Sequence, residues 1–356
     1  MRLPLLLVLL IPVAVYANDS LGLPELAIPA DNSQSAEKIQ LGKDLFNDTR
    51  FSLDGSISCA SCHLPDCAFS DGLPQAKGVN NQTGHRNTPT ILNAAFFEHT
   101  FLDGRADSLE QQALGPILNP VEHGIKDKQA IVQILLQDED YKRRLQKVFN
   151  ISEDEISANH LAKAIASYER TLIAGNSAFD RYYFGRDRSQ LSASAARGLL
   201  IFRRKGNCAN CHEISMKHAL FTDNRFYNIG WGFDKIKSRL DNILIAIKEN
   251  NLESLDLSTE QKSELGRFNV TGKIQDIGKF RTPTLRNIAL TAPYMHDGSV
   301  KTLEDIVEYY DKGGEKNRFL DAAIYPLHLT DQEKADLVAF MKSLTSQSYE
   351  HLGSTD

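Results

Sequence analysis

A mainly α chain of two homologous domains with long irregular loops is what the sequence predicts. Apolar residues recur at helical spacing in 128–148, 153–173, 192–204, 302–311 and 331–344, whereas strand-like alternation is scarce. Ser152…Glu155 and Thr330…Glu333 have the spacing of capping boxes that start two of those helices. Gly, Pro and Asn cluster between the helices, so irregular segments should wrap whatever the domains enclose. The second observation is that the chain contains itself twice.

Gly42-x-x-Leu45-Phe46 is answered by Gly198-x-x-Ile201-Phe202, and Phe69-Ser70-Asp71 by Phe221-Thr222-Asp223. Thr88-Pro89-Thr90-Ile91-Leu92-Asn93 matches Thr282-Pro283-Thr284-Leu285-Arg286-Asn287. Ten residues after each Asn comes an Asp-Gly, Asp103-Gly104 and Asp297-Gly298, and five beyond each Asp lies Ser108-Leu109-Glu110 or Thr302-Leu303-Glu304. The expected division is an N-terminal domain over 18–180 and a C-terminal domain over 181–356. The stretch 234–280 has no counterpart in the first half and reads as an inserted, partner-facing or mobile segment.

Ahead of both domains, residues 1–17 carry one charge, Arg2, then an apolar run too short to span a bilayer. Val15 and Ala17 are the small residues a signal peptidase favours, so 1–17 are expected to be a cleaved signal peptide rather than an uncleaved anchor. Export to the periplasm follows, with no membrane association after cleavage. Losing Arg2 moves the side-chain charge from −6 to −7. That mild acidity argues against nucleic acid and suits a basic redox partner. Hydrophobic content of 42% and charged content of 24% fit a folded, soluble protein.

Five cysteines in an exported chain would ordinarily suggest disulfides. Their spacing points elsewhere. Cys59-Ala-Ser-Cys62-His63 and Cys208-Ala-Asn-Cys211-His212 both read C-x-x-C-H, the attachment signature of c-type haem. Two thiols add across the vinyl groups of one porphyrin edge, and the adjoining His63 or His212 is held as proximal iron ligand. A four-cysteine zinc site or a redox dithiol is the alternative, but either leaves the two histidines without a purpose. Cys67 is left over, a buried small side chain or an intermolecular partner.

The repeat then compares the open side of each haem. Leu102, before the first Asp-Gly, corresponds to His296 before the second, and fourteen residues later Pro116 corresponds to Tyr310. A phenolate can bind ferric iron, whereas proline offers no side-chain ligand. If that position faces the haem, the C-terminal haem is closed and the N-terminal one open. Gln112 and Glu122 lie near Pro116 in sequence and suit a pocket that moves protons during peroxide cleavage. A surface glutamate and a helix-capping glutamine are the alternatives.

At these residues the chain resembles the bacterial di-haem cytochrome c peroxidase and MauG family. The order C-x-x-C-H, R-N-T-P-T, D-G-R-A, L-x-x-Q-A-x-G-P, C-x-x-C-H, T-P-T-L-R-N and T-A-P-Y-M-H-D-G-S carries the resemblance over nearly the whole mature chain. It implies two cytochrome c-like haem domains, with peroxide reacting at the His63 haem and electrons stored at the His212 haem. Gln112, Pro116 and Glu122 would line the distal side of the first. It also implies a calcium ion between the domains, held by the Asn87 side chain and the backbone oxygens of Thr291 and Pro293. Tyr310 stands where peroxidases requiring prior reduction carry Met and MauG-like members carry Tyr. His85 lies in the loop that holds a distal His in the former, but only two residues before Asn87. One departure is Leu102, where many members have Trp between the haems. Trp231, the single tryptophan, reads as a packed aromatic near the second haem or as a surface electron relay.

The resulting expectation is a hydrogen peroxide-dependent di-haem oxidoreductase. Its partner is a redox-protein donor, which would make it a peroxide-detoxifying peroxidase, or a protein substrate oxidised as in MauG. The rivals are a pure electron-transfer di-haem cytochrome and a catalytically inactive binding protein.

Overall fold

The computed structural model describes residues 19–353, so the leader at 1–17 lies outside the described residues. It is mainly helical, with one two-stranded antiparallel ribbon pairing Phe226–Tyr227 with Phe280–Arg281. No described helix is long and apolar enough to cross a membrane.

Each half is organised by one helix crossing, and the repeated glycines explain it. The Ala36–Asn47 helix packs on Ala158–Glu169, and a Cβ on Gly42 would sit 1.8 Å from the Ala164 carbonyl oxygen. The Ala193–Arg203 helix packs likewise on Asp331–Lys342, where a Cβ on Gly198 would lie 2.0 Å from the Asp336 carbonyl. Only a residue without a side chain lets backbones approach so closely. One turn on, Phe46 and Phe202 are 1% and 2% exposed, each the apolar plug beneath its crossing. The first core runs from Leu41 to Ala174 and the second from Phe179 to Leu344.

The repeat persists in the backbone. Thr100 bridges Ala106 just as Tyr294 bridges Val300. Within these two turns Phe101 and Met295 both take left-handed backbone (φ 62° and 69°), as do Gly104 and Gly298 (70° and 67°). The pairing of Leu102 with His296, and of Pro116 with Tyr310, thus rests on superposable local structure. Asn93 and Asn287 are left-handed as well and tie the end of each domain. Asn93 Oδ1 accepts from the Ala174 N–H at 2.9 Å, and Asn287 Oδ1 accepts from the Ser346 N–H at 2.8 Å.

Three local expectations are corrected. The 128–148 helix is two, Lys128–Gln137 and Glu139–Phe149, because the Asp138 carboxylate accepts from the N–H groups of Asp140 and Tyr141 and restarts the helix. The Ser152…Glu155 box closes only a short 3₁₀ turn, and the long helix starts at Ala158 behind its own N-cap, Ser157. The 234–280 stretch is folded. Phe233, Ile236, Ile243, Leu244, Leu257, Leu265, Phe268 and Ile277 give it a third apolar core. It also ties the halves together, since Arg267 Nη1 donates to the carbonyls of Asp103 and Gly104 at 2.9 and 2.6 Å.

A buried ion pair fastens the second half to what precedes it. Arg286, in the second Thr-Pro-Thr motif, donates both terminal nitrogens to Asp180 at 2.8 and 2.9 Å, and reaches the carbonyls of Ala219 and Gly22 at 2.7 Å each. At 1% and 0% side-chain exposure, neither charge has water to fall back on. Arg286→Met strands Asp180 and is expected to cost on the order of 3–5 kcal/mol. Chemical denaturation of the haem-loaded protein would measure it, and a change below about 1 kcal/mol would contradict this account.

Candidate functional site

Each C-x-x-C-H sits on a short turn of helix at the edge of its own core. Cys59 packs against the first core and Cys208 against the second, so the four thiols do not converge as a zinc site would require. No disulfide forms among the five cysteines, Cys67 included. Burial pushes the Cys62 and Cys211 thiols up to about 11 and Cys208 to about 12, and drives Cys59 higher still. Such thiols are poor thiolate nucleophiles, which disfavours the redox-dithiol alternative.

The histidines are oriented identically. His63 Nδ1–H donates to the Phe69 carbonyl at 2.9 Å, and His212 Nδ1–H donates to the Phe221 carbonyl at 2.9 Å. A carbonyl can only accept, so in both rings Nε2 is the nitrogen left with a lone pair, as an iron ligand must be. Burial depresses both imidazoles toward the neutral form that binds metal. Phe69 and Phe221 take φ of 58° and 53°, uncommon for a bulky side chain, and this backbone turns each carbonyl toward its histidine.

The Thr-Pro-Thr motifs hold those strained residues in place. Thr90 Oγ1 donates to the Ala68 carbonyl at 2.5 Å and Thr284 Oγ1 to the Leu220 carbonyl at 2.7 Å, one residue before each phenylalanine. One residue after it, Ser70 and Thr222 donate to the carbonyls of Thr88 and Thr282 at 2.9 and 2.7 Å. Phe46 and Phe202 lie 6.4 Å, centroid to centroid, from His63 and His212. The residues present fit a covalently held haem in each domain, with neutral, pre-aimed imidazoles over apolar floors.

The distal sides differ. Gln112 and Pro116 share one face of the Leu109–Leu118 helix, and Pro116 lacks the N–H that would have bonded the Gln112 carbonyl. Glu122 follows the helix, its Oε1 accepting from Asn119 Nδ2 at 2.7 Å. It lies near enough to Cys59 and Cys62 for its charge to act on both thiols. Burial raises the Glu122 carboxyl, opposed by Arg105 and Asn119. No hydrogen bond joins Gln112 to Glu122. In the second domain Tyr310 lies close enough to Cys208 and Cys211 to feel both thiols, and burial pushes its phenol far above the ordinary range. A phenolate there needs a cation beside it, and ferric iron is one.

The remaining expected residues fall around the junction of the halves. Asn87 N–H donates to the His296 carbonyl at 3.0 Å and its Nδ2 to the Leu73 carbonyl at 2.8 Å. Its amide oxygen stays available, beside the loop that carries Thr291 and Pro293. His85 is exposed and turned to solvent, while Arg86 beside it pairs with Glu264 at 3.4 Å and lies over the Phe280 ring. His296 Nε2 meets Glu264 Oε2 at 2.8 Å and its ring stacks on Phe280 at 4.1 Å, so the position answering Leu102 is tied within its own half to the glutamate that Arg86 reaches from the other half.

Sequence reasoning missed Glu169. Only 4% exposed, it ends the Ala158–Glu169 helix with one carboxyl oxygen unpartnered, close enough to Cys59 for its charge to act there. Burial raises it to about 8. Its one sequence signal is an acid on the apolar face of a helix.

A family profile described as di-haem cytochrome c peroxidase matches residues 36–188, and one described as cytochrome c matches 195–345. Cytochrome-c peroxidase IdrP1 of Pseudomonas sp. (strain SCT) is 36% identical over 334 residues, covering 91% of this chain and 84% of that one. Methylamine utilization protein MauG of Methylorubrum extorquens is 37% identical over 319 residues, covering 90% and 81%. Among solved structures, a MauG-like protein associated with microbial copper homeostasis superposes with a TM-score of 0.77 at 32% identity, covering 94% and 96% of the two chains. The site and fold define a two-haem oxidoreductase. The chain belongs to the di-haem cytochrome c peroxidase and MauG family.

Because Glu169 keeps its proton longer folded than unfolded, its contribution is fully favourable below about pH 4.5 and is lost as pH rises toward about 8. Glu169→Gln should remove that slope, which is at most about 1.4 kcal/mol per pH unit. Denaturation midpoints at pH 5 and 9 should therefore draw closer together in the variant, and unchanged spacing would refute the assignment.

Proposed function

We propose that this protein uses hydrogen peroxide as oxidant at the His63 haem, passes electrons through the His212 haem and, in the MauG manner, oxidises a partner protein. The observation that carries the reading is the contrast between Pro116 and Tyr310 at matching positions of two otherwise superposable sites. Haem supplies redox-active iron and a store for oxidising equivalents. Everything else falls to the chain. Pro116 presents no ligand atom and would leave the distal side of a haem held by Cys59, Cys62 and His63 open to peroxide. Gln112, whose side-chain amide has no hydrogen-bond partner among the described residues, can donate to a peroxide oxygen and orient it. Glu122, its carboxyl raised by burial above the ordinary value, takes the proton from the inner peroxide oxygen and returns it to the outer one, making water the leaving group.

Tyr310 would close the second site, its phenolate oxygen being an anionic ligand that favours ferric over ferrous iron, as a MauG-like site requires. Calcium would sit at the Asn87 amide oxygen and the carbonyls of Thr291 and Pro293, bracing the junction. Export by the 1–17 leader places the reaction in the periplasm. The second reading, a peroxide-detoxifying peroxidase fed by a small redox protein, is favoured by the 36% identity to a cytochrome-c peroxidase.

The reading is tested by EPR of the diferric protein before and after one equivalent of peroxide. One high-spin and one low-spin signal, both lost on addition, are expected. Two low-spin signals indifferent to peroxide would instead mark a pure electron-transfer cytochrome. Glu122→Gln should slow peroxide-dependent oxidation by about 10²–10⁴-fold while both haems stay attached. Single-turnover stopped-flow absorbance checks it, and an unchanged rate would remove Glu122 from the mechanism.

A further inference from the structure

Trp231 is held in a setting that packing alone does not require. It lies between Gly230 and Gly232, both left-handed (φ 93° and 74°), and a Cβ on Gly230 would meet the Glu315 carbonyl oxygen at 2.3 Å. The indole is therefore fixed by backbone on both sides, yet it remains partly exposed. Its ring stands edge-on to Tyr309 at 4.9 Å between centroids, and Tyr309 stands edge-on to Tyr310 at 5.8 Å. These three rings form an unbroken aromatic path from the surface to the residue beside Cys208 and Cys211.

The outer end of the path is also prepared chemically. Trp231 Nε1–H donates to Asp297 Oδ1 at 2.9 Å. Ser299 holds that same oxygen, while Lys235 approaches the other one at 3.4 Å. Burial works to raise the Asp297 carboxyl, but the hydrogen bonds from Ser299 and Trp231 outweigh it and leave the group below its ordinary value, on the ionised side. A carboxylate on the indole N–H stabilises positive charge developing on the ring and offers its proton a place to go. Tyr309 has no such acceptor, since its hydroxyl donates to the Ile229 carbonyl at 2.8 Å, so it is a bridge rather than a resting place for charge.

We propose that Trp231 is the electron-entry residue of the second haem, oxidised through Tyr309 and Tyr310 and refilled by a one-electron protein donor docking over it. This rests on the peroxide reading above. In each step one electron leaves the Trp231 ring and fills one peroxide-derived oxidising equivalent at the second haem, while the indole proton shifts along its hydrogen bond to Asp297. The donor then returns one electron to Trp231 and Asp297 returns the proton. Two such steps supply the two electrons that, with two protons, convert one peroxide to two waters.

Because Trp231 is the only tryptophan in the chain, isotopic labelling addresses it alone. The haem-loaded protein is grown with indole-deuterated tryptophan, mixed with one equivalent of peroxide without donor, and freeze-quenched for EPR. A radical signal near the free-electron value that narrows with the label, and is absent from Trp231→Phe although that variant still loses its ferric signals, is the expected result. Tyr309→Leu should lose the same signal, and Tyr309→Phe, which keeps the ring, should retain it. Peroxide consumption with a radical indifferent to the label, or with one persisting in Trp231→Phe, overturns the relay and leaves the peroxide reading standing. A wild-type protein that leaves peroxide unconsumed overturns both.

Discussion

The aim of two imidazole rings governs this structure. A histidine next to a C-x-x-C motif is free to rotate, and an iron ligand must not be. In both domains the rotation is stopped by one hydrogen bond, from Nδ1–H to the carbonyl of a phenylalanine in left-handed backbone. Such a backbone costs about 1–3 kcal/mol and persists only where its surroundings over-determine it. The surroundings are a Thr-Pro-Thr hydroxyl on the residue before it, the Ser70 or Thr222 hydroxyl bonded back to the same motif's carbonyl on the residue after it, and beneath them the Gly-mediated helix crossing that carries Phe46 or Phe202. Motifs some thirty to seventy residues apart thus serve one geometric end, which is why they recur together.

Against that shared frame the differences become informative. Where the first domain has Leu102 the second has His296, buried in a cluster with Glu264, Arg86 and Phe280 that spans both halves. Glu264 comes from the segment without a counterpart in the first domain, so the insertion is what lets the halves grip each other asymmetrically. Leu102 takes part only through its backbone, its carbonyl accepting from the Arg281 N–H at 2.7 Å. The ribbon that carries Arg281 thereby stands in the position where a side chain would otherwise bridge the domains.

Much of this was legible in the sequence because it depends on local covalent spacing. C-x-x-C-H, the duplicated Gly-x-x-x-Phe and Thr-Pro-Thr, and the Thr330…Glu333 cap are all patterns of neighbours. What escaped depends on partners far along the chain or on atoms every residue has. The carbonyls of Phe69 and Phe221 carry no sequence mark. The 234–280 core is assembled from scattered apolar residues whose period is broken by turns. Asp138 reads as one more surface acid until its side chain is seen capping a new helix. Glu169 is in sequence only an acid on the apolar face of a helix, and the burial of that turn is what raises its carboxyl to about 8.

The two halves also divide the chemistry by the kind of group each buries. Around the first site the buried titratable groups include two carboxyls, Glu122 and Glu169, both raised by the loss of water. A carboxyl whose proton is held by burial can give and take protons but is a poor conductor of electrons. Around the second site stand Tyr310, Tyr309 and Trp231 in edge contact, with the Asp297 carboxylate at the outer end. Aromatic rings in contact pass electrons and exchange protons slowly unless a base is at hand. Breaking an O–O bond needs protons delivered where it breaks, whereas the electrons can be drawn from elsewhere. A duplicated fold that keeps both imidazole supports intact and changes only what faces them is therefore enough to separate the two tasks.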